Sequence, residues 1–217
     1  MAGLPGYPKH SSPNGVKNPM GSAAAALDYD AELMLRVKDG DAASFEALLD
    51  KHRVSVVHFL YRMIQEPAAA EELAQEVFLR VYRSRASYEP TAKFTTWLFR
   101  ISTHLALNWL RDSRHERGQE RLDDGAADFP GRQLTDRQPT AEQELLREAR
   151  LGEVRRAIAA LPEKQRAAVL MHKYEEMEYS QIAKALGCSE SAVKSLLFRA
   201  YENLRARLAH IGKYALP

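Results

Sequence analysis

The sequence predicts an all-α protein with two small helical domains joined by a flexible acidic linker, the C-terminal one containing a helix-turn-helix. Two observations predict this fold class. Apolar residues recur at helical spacing on both sides of a central segment, with almost no alternating strand pattern. The central segment, residues 116–149, carries nine Asp or Glu against five Arg and contains scattered Gly and Pro. Because such a composition is poor material for a core, it separates two domains.

Composition limits the classes of function. The chain has 217 residues, of which 45% are apolar, enough for a sizeable core. The single cysteine, Cys188, cannot support a disulfide framework within the chain, and no run of about 18 apolar residues is present to span a membrane. The N-terminus lacks the apolar segment of a signal peptide. We therefore expect a cytoplasmic location.

The N-terminal part is predicted to contain an extension and a helical domain. Residues 1–28 are rich in Gly, Pro, Ser, Asn and Ala without periodicity, which predicts a disordered extension. In the domain of residues 29–115, Asp41 can cap one helix, Pro67 marks the first turn of the next, and residues 84–93 precede a third. The residues expected in its core include Phe45, Leu48, Leu49, Val56, Phe59, Leu60, Met63, Ala70, Leu73, Ala74, Val77, Phe78, Val81, Tyr82, Trp97, Leu98 and Ile101.

A linker over residues 116–140 leads to a second helical domain over residues 141–211. Within this domain, residues 179–208 predict a helix-turn-helix. Its first helix has an apolar side, Gly187 supplies a permissive turn, and Ser189 is a natural N-cap for the second helix.

The second helix of this motif has two faces. An apolar stripe points toward a core, while cations and hydroxyls lie at helical spacing on the other side. Counted from residue 189 to 217, five Lys or Arg outnumber two acids. A helix of this kind fits a DNA major groove, although a helical hairpin with a solvated polar face has the same pattern. The side chains that would meet DNA are Ser189, Ser191, Lys194, Ser195 and Arg199.

An acidic segment lies on the first domain. Four acids and no bases fall between Glu66 and Glu76, and Glu72, Gln75 and Glu76 share the exposed side of one helix. An acidic surface favours a basic protein partner, because complementary charge steers docking. The alternative is an ordinary solvated helix face with acids near its N-terminus.

Residues 93–117 combine aromatic side chains, hydroxyls and cations. Aromatic rings and cations beside a loop can hold an unstacked base and its phosphates. Alternatively, Trp97, Leu98 and Ile101 are simply core residues, in which case only the loop and the polar face remain for function.

No catalytic constellation is evident. The seven His show no metal-ligand spacing with each other or with the single Cys, and no glycine-rich phosphate loop is present. We therefore expect no enzyme, no cofactor, no metal and no small-molecule substrate.

Together, the EELAQEVF helix, the FTTWLFRI and LNWLR segments, the acidic linker and the QIAKALGCSESAVKSLLFRA helix-turn-helix resemble bacterial sigma factors of the extracytoplasmic-function (ECF) type in the sigma-70 family. The match covers roughly residues 30–208. The resemblance implies a transcription initiation factor that binds core RNA polymerase and directs it to specific promoter DNA. It also implies an anti-sigma factor as a partner, often one tethered to the membrane.

The resemblance assigns residue roles. In the family an acidic helix docks on the clamp helices of the large polymerase subunit, which implicates Glu72, Gln75, Glu76 and Phe78. A loop and the helix after it melt the minus-ten element and capture a flipped base, which implicates Lys93, Phe94, Thr95, Thr96, Trp97, Arg100 and His104. The recognition helix reads the minus-thirty-five element, which implicates Ser189, Ser191, Lys194, Ser195 and Arg199.

The chain departs from the family pattern at four positions. Glu72 replaces a frequent Asp in the acidic helix and keeps its charge. His104 stands where many members have Asn, and Glu176 and Glu178 replace a frequent Gly and Ser before the helix-turn-helix. The competing hypothesis from the residues is a free-standing helix-turn-helix regulator whose residues 29–115 bind a ligand or dimerise. A third is an interaction protein that makes no salt-dependent DNA contact.

Overall fold

The computed structural model describes residues 28–117 and 141–212, and these residues form helices and short connections without a strand. The predicted extension and linker lie outside the described residues, apart from Asp28 and the last two residues of the fourth helix. The helices are α1 (Tyr29–Lys38), α2 (Ala42–Ile64), α3 (Pro67–Arg83), α4 (Phe94–Arg117), α5 (Ala141–Ala159), α6 (Glu163–Lys173), α7 (Tyr179–Leu186) and α8 (Glu190–Gly212), with a short 3₁₀ turn at Arg85–Ser87. The all-α fold class is confirmed for the described residues.

Helices α1 to α4 form the first unit. Asp41 caps α2 as predicted, its Oδ1 accepting from the N–H groups of Ala43 at 3.0 Å and Ser44 at 3.3 Å. Pro67 occupies the first turn of α3, where its missing N–H costs no hydrogen bond. Phe59 and Phe99 cross edge to face in the core, with ring centroids 5.2 Å apart.

A polar contact inside this unit joins α1 to α2. Asp30 and His52 are both 7% exposed, and His52 Nε2 lies 3.0 Å from Asp30 Oδ2. Lys51 Nζ donates to the other carboxylate oxygen at 2.6 Å. Burial lowers the pKa of His52, and the Asp30 carboxylate opposes that shift. His52 and Lys51 thus give the buried carboxylate of Asp30 its hydrogen-bond partners, and these contacts hold α1 against α2.

Helices α5 to α8 form the second unit, with α7 and α8 as the helix-turn-helix. Gly187 has φ +64°, the left-handed conformation that ends α7, and the N–H of Cys188 donates to the carbonyl of Ala183 at 3.0 Å. Ser189 Oγ accepts from the N–H of Ala192 at 3.2 Å, which is the N-cap that the sequence predicts for α8.

The entry to α7 shows how the chain accommodates two departures from the family pattern. Glu176 has φ +52°, a conformation that suits glycine better than a residue with a side chain. The N–H of Glu178 donates to Gln181 Oε1 at 2.8 Å, so one orphan donor of the helix start is satisfied by Gln181. Glu176 thus adopts at this turn a left-handed backbone conformation although it is not a glycine.

The two units pack against each other and share one continuous apolar core. Helix α7 lies against α4, and α6 lies against the C-terminal end of α2. Arg166 of α6 is 9% exposed and donates across the junction to the carbonyl of Met63. The same guanidinium donates to the carbonyls of Ala159 and, at 3.1 Å, Leu161. One buried cation thus ties the end of α2 to the turn between α5 and α6.

Some residues expected in the core are less buried than predicted. Tyr82 of α3 is 41% exposed, and its ring contacts that of Phe45 in a tilted arrangement, with centroids 5.1 Å apart and planes 60° to each other. The apolar stripe on each of α2 and α3 is wider than the area in which the two helices contact each other. The residues at the edges of the two stripes therefore line a surface groove instead of the core. The expected core residues that are only half-buried are Phe45, Leu49, Leu73, Trp97 and Ile101.

Candidate functional site

An apolar groove runs along the surface between α2 and α3. Its volume is about 740 Å³. Most of its lining atoms belong to apolar side chains, which is unusual for an open surface. It is lined by Ala42, Phe45, Leu49, Arg53, Val57, Glu71, Ala74, Gln75, Phe78, Leu79 and Tyr82.

The four residues implicated in polymerase binding lie in or beside this groove. Gln75 is exposed on its wall, and Phe78 is 5% exposed at its floor. Glu72 and Glu76 lie on the adjacent stripe of α3, outside the lining, and Glu76 Oε1 accepts from Arg80 Nε at 2.7 Å. The acid on the wall itself is Glu71. The groove therefore has an apolar floor, one acid and one cation, Glu71 and Arg53, on its lining, and two further acids beside it on α3.

Sequence reasoning missed the apolar part of this surface. Leu79 is 48% exposed and Tyr82 is 41% exposed, both on the groove. Helical periodicity marks a residue as apolar and inward, but it does not say whether a neighbouring helix covers it. The signal in the sequence was the width of the apolar stripe on α3, which extends beyond what its neighbours α2 and α4 cover.

The second group of implicated residues begins α4. Lys93, Arg100 and His104 are exposed, and Thr95 and Trp97 are half-buried. Phe94 and Thr96 are 0% and 3% exposed. Phe94 packs against His52, with ring centroids 5.5 Å apart. Phe94 and Thr96 are therefore buried beneath the surface on which Lys93, Arg100 and His104 stand.

The loop before α4 is held by an aromatic cluster. Tyr88 is 4% exposed, and its ring centroid lies 5.0 Å from that of Trp97. Burial, and then the nearby Asp28 and Asp30, raise the pKa of Tyr88 to about 12, so its hydroxyl stays protonated. Lys38 Nζ donates to the Tyr88 carbonyl at 3.2 Å. The loop thus has a fixed centre, and Lys93 projects from its end.

The third group lies on α8, the second helix of the helix-turn-helix. Ser191, Lys194, Ser195 and Arg199 are all exposed, while Val193 and the rest of the apolar stripe point into the core. Ser189 is also exposed, although its hydroxyl caps the helix. Ser195 Oγ donates to the carbonyl of Ser191 at 3.0 Å. The structure therefore brings the predicted polar residues together on one open face.

Sequence reasoning missed an aromatic residue at the centre of that face. Phe198 is 67% exposed and lies at i+3 and i+4 from Ser195 and Lys194. A large apolar side chain so open to water on a polar face marks an interaction surface. In the sequence, Phe198 directly follows Leu197 of the apolar stripe, and helical geometry therefore places it on the neighbouring polar face.

Metal binding and membrane insertion find no support in the described part of the chain. Within residues 28–117 and 141–212, no three His, Cys, Asp or Glu side chains cluster as a metal site. In the same residues no helix has the length and hydropathy to cross a membrane. The candidate sites in these residues are the groove between α2 and α3, the start of α4 and the exposed face of α8, which are open surfaces of a size that suits macromolecules.

Comparison with known proteins decides the family. The model of Sigma-70 region 2 matches residues 48–116, and the model of Sigma-70 region 4 matches residues 151–204. The RNA polymerase sigma factor CarQ of Myxococcus xanthus is 33% identical over 178 residues, covering 82% of this chain and 97% of the relative. The ECF RNA polymerase sigma-E factor of Haemophilus influenzae is 30% identical and covers 82% of this chain and 95% of the relative.

The chain belongs to the ECF sigma factors of the sigma-70 family. It is a transcription initiation factor that directs RNA polymerase to promoters.

A solved structure has the same fold as this ECF sigma factor. It is the sigma factor RpoE in complex with the anti-sigma factor NepR from Bartonella quintana, with a TM-score of 0.62 and 20% identity over 76% of this chain and 96% of that chain. The region 2 match covers the groove and α4, and the region 4 match covers the helix-turn-helix. A free-standing regulator would not account for the region 2 match.

Proposed function

We propose that this ECF sigma factor docks on core RNA polymerase through the groove between α2 and α3, and reads promoter DNA with α4 and α8. The groove carries the proposal, since it is an open apolar surface with acids at its border and lies apart from both candidate DNA surfaces. In this proposal residues 29–115 and 141–211 are the two working domains.

The groove suits a helical protein partner. Leu79 and Tyr82 offer apolar area to an amphipathic helix, and Gln75 offers an amide for a hydrogen bond. Glu71 and Glu72 are exposed acids beside it, which favours basic residues around the apolar stripe of the partner. A helix of the polymerase with that pattern would contact Glu72, Gln75 and Phe78, with Glu76 held on the border by Arg80.

The start of α4 suits the unstacked strand of the minus-ten element. Trp97 offers part of a ring for stacking, and Lys93 and Arg100 are exposed cations for phosphates. His104 lies one turn beyond Arg100 on the same side and can bond to a base edge. Phe94 acts from behind this surface, because its ring packs on His52 and so holds the first turn of the helix against α2, and Thr96 is buried in the same turn. Base capture of this kind offsets part of the cost of unstacking.

The exposed face of α8 suits the major groove of the minus-thirty-five element. Lys194 and Arg199 can reach guanine edges or phosphates, and the serine hydroxyls can bond to bases. Phe198 supplies what the polar residues cannot, an apolar surface for thymine methyl groups. The formal net charge of the whole chain is only +2, so the chain alone should bind DNA weakly and polymerase must supply the rest.

Three further parts of the proposal follow from this role. The chain acts in the cytoplasm, where bacterial core polymerase transcribes. It catalyses no reaction of its own and needs no cofactor. An anti-sigma factor restrains it, because the similar RpoE structure contains one and the exposed groove offers such a partner a place to bind.

Assembly on polymerase tests the proposal. Purified chain is mixed with bacterial core RNA polymerase, resolved by size-exclusion chromatography, and then used to select DNA from a pool of fragments of the source genome. We expect co-elution and enrichment of fragments that share two elements, which neither the chain nor the core enzyme enriches alone. Selection of a palindromic duplex by the chain without polymerase would instead favour the free-standing regulator.

A further inference from the structure

We propose that a cavity lined by residues of α4 and α7 is a binding site for a nucleoside di- or triphosphate. The inference rests on the function proposed for the start of α4, because Trp97, Arg100 and His104 belong to both sites. It adds a small-molecule ligand to a chain whose other proposed partners are macromolecules.

The cavity has the size of a small-molecule site. Its volume is about 480 Å³, within the range of about 300–1,000 Å³ that is usual for such ligands. Four helices contribute to its lining, through Arg80 of α3, Arg100 of α4, Lys164 of α6 and Leu186 of α7. A space of this size fits one nucleotide.

The charged part of the lining is cationic. Arg80, Arg100 and Lys164 line the cavity with His104, and no Asp or Glu is among the described residues that line it. Arg80 Nε donates to Glu76 at 2.7 Å, whereas Arg100 and Lys164 form no ion pair with any described residue. Cations that converge from three helices repel one another, and a bound polyanion removes that repulsion. The lining therefore favours a ligand with more than one negative charge.

Lys164 occupies a position that disfavours a cation unless an anion is bound. It is the second residue of α6, and the N-terminal end of a helix carries a partial positive charge. Its neighbour Glu163 pairs with Arg114 of α4, so Glu163 is already engaged by another cation. Lys164 also lies outside α4 and α8, which are the proposed DNA surfaces. Its place on the lining is therefore accounted for by an anion in the cavity.

The apolar part of the lining suits a base and a sugar. Trp97 is half-buried, and Ile101 and Leu107 of α4 line the cavity with it. Leu186 and Gly187 contribute from α7 and its C-terminal turn. A base can stack on an aromatic ring while its phosphates pair with Arg and Lys. A ring surface and cations in one cavity therefore favour a nucleotide over inorganic phosphate or a wholly apolar ligand.

Isothermal titration calorimetry of the full-length chain tests this inference. The titrants are ADP and GDP, with adenosine and inorganic phosphate as the separate halves of the ligand. We expect one diphosphate per chain with a dissociation constant below about 1 mM, and at least about tenfold weaker binding of either half. The absence of saturable binding of both diphosphates would overturn the proposal.

A matched pair of lysine variants locates the site. Lys164→Gln should weaken binding of the diphosphate about tenfold, because a charge-assisted contact with phosphate is lost. Lys173→Gln is the control, since Lys173 is exposed on the same helix and does not line the cavity. Equal losses of affinity in the two variants would show a general attraction of the basic surface for anions, and so overturn the site.

Two further measurements separate this site from the proposed promoter contacts. A single-stranded oligodeoxynucleotide whose affinity falls as much as that of ADP in Lys164→Gln would assign the cavity to a DNA strand, against the proposal. Run-off transcription without added diphosphates should be the same for Lys164→Gln and the parent chain. Chain-dependent transcripts without ADP or GDP binding would refute the nucleotide site alone, whereas diphosphate binding without such transcripts would refute the proposed function alone.

Discussion

The carboxylate of Asp28 joins the starts of two helices that are far apart in sequence. Asp28 Oδ2 accepts from the N–H of Phe94 at 3.1 Å, where α4 begins, and Oδ1 accepts from the N–H of Ala31 at 2.6 Å in α1. Each helix start has orphan N–H donors, and one side chain satisfies a donor of both. The first turn of α4, which carries the proposed minus-ten surface, is therefore positioned by the residue before α1.

Replacing Asp28 should destabilise the first unit. Asp28→Ala removes both caps, and we expect the free energy of unfolding to fall by about 2 kcal/mol. Asp50→Ala, which removes an exposed acid from the middle of α2, is the matched control and should change it by less than about 0.5 kcal/mol. Urea unfolding followed by circular dichroism measures both, and equal midpoints would contradict the double cap.

Disruption of the groove should reduce polymerase binding without unfolding the chain. Leu79→Asp puts a charge on the apolar lining at a position 48% exposed, so the core is unaffected. We expect at least about a tenfold loss of affinity for core RNA polymerase, the scale of a central interface residue. Val54→Asp is the control, because Val54 is 61% exposed and does not line the groove. Equal affinities of the two variants in competition for core enzyme would place docking elsewhere.

Removal of the exposed ring on α8 should impair promoter selection after polymerase has bound. Phe198→Ala deletes the apolar centre of the recognition face, and we expect about a tenfold loss of transcription from promoters of this sigma factor. Affinity for core enzyme should be unchanged. Leu151→Ala on α5, also an exposed apolar position, serves as the control. Parallel losses of polymerase binding in Phe198→Ala would show that this face contacts protein.

The half-buried Glu175 should make stability depend on pH. Burial raises its pKa to about 7, and Arg62 only partly opposes the shift. An unfolded Glu loses its proton near pH 4.3, so the folded state binds more protons between roughly pH 4.3 and pH 7. Stability from this group is therefore present at low pH and is lost as the pH rises through about 7.

Thermal unfolding at several pH values tests this dependence. In Glu175→Gln the midpoint should exceed that of the parent at about pH 8, and the difference should shrink toward about pH 5. Glu190→Gln, an exposed acid at the start of α8, is the control. A constant difference across this range would mean that Glu175 does not titrate there.

The left-handed Glu176 offers a stabilising substitution. With φ +52° the residue bears a steric cost that glycine avoids, so Glu176→Gly should raise the free energy of unfolding by roughly 1 kcal/mol. Glu178→Gly, close by but with φ −72°, should lower stability. Unfolding by urea distinguishes them, and a loss of stability in Glu176→Gly would show that this turn does not hold residue 176 in the left-handed conformation.

Much of the local structure could be predicted from the sequence. Asp41, Pro67, Gly187 and Ser189 mark helix ends by chemistry that acts within a few residues, and the structure has each of them in the predicted role. The polar face of α8 could also be predicted, because helical periodicity depends only on residues a few positions apart.

The parts that could not be predicted depend on contacts between distant residues. Tyr82 reads as core because nothing in the sequence shows that no helix covers it. Thr96 reads as a surface residue because a hydroxyl is polar, but the folded chain leaves it only 3% exposed. Asp28 lies in a segment predicted to be disordered, and its bond to Phe94 spans 66 residues. The contact between Arg62 and Tyr174 likewise exists only once the two units meet.

Run-off transcription is the decisive experiment for the role of this chain at promoters. Purified chain and bacterial core RNA polymerase are incubated with fragments of the source genome, beside core enzyme alone and beside the Leu79→Asp variant. We predict start sites that require the chain, that share two upstream elements, and that are weakened by Leu79→Asp. Identical transcripts with and without the chain would refute this role.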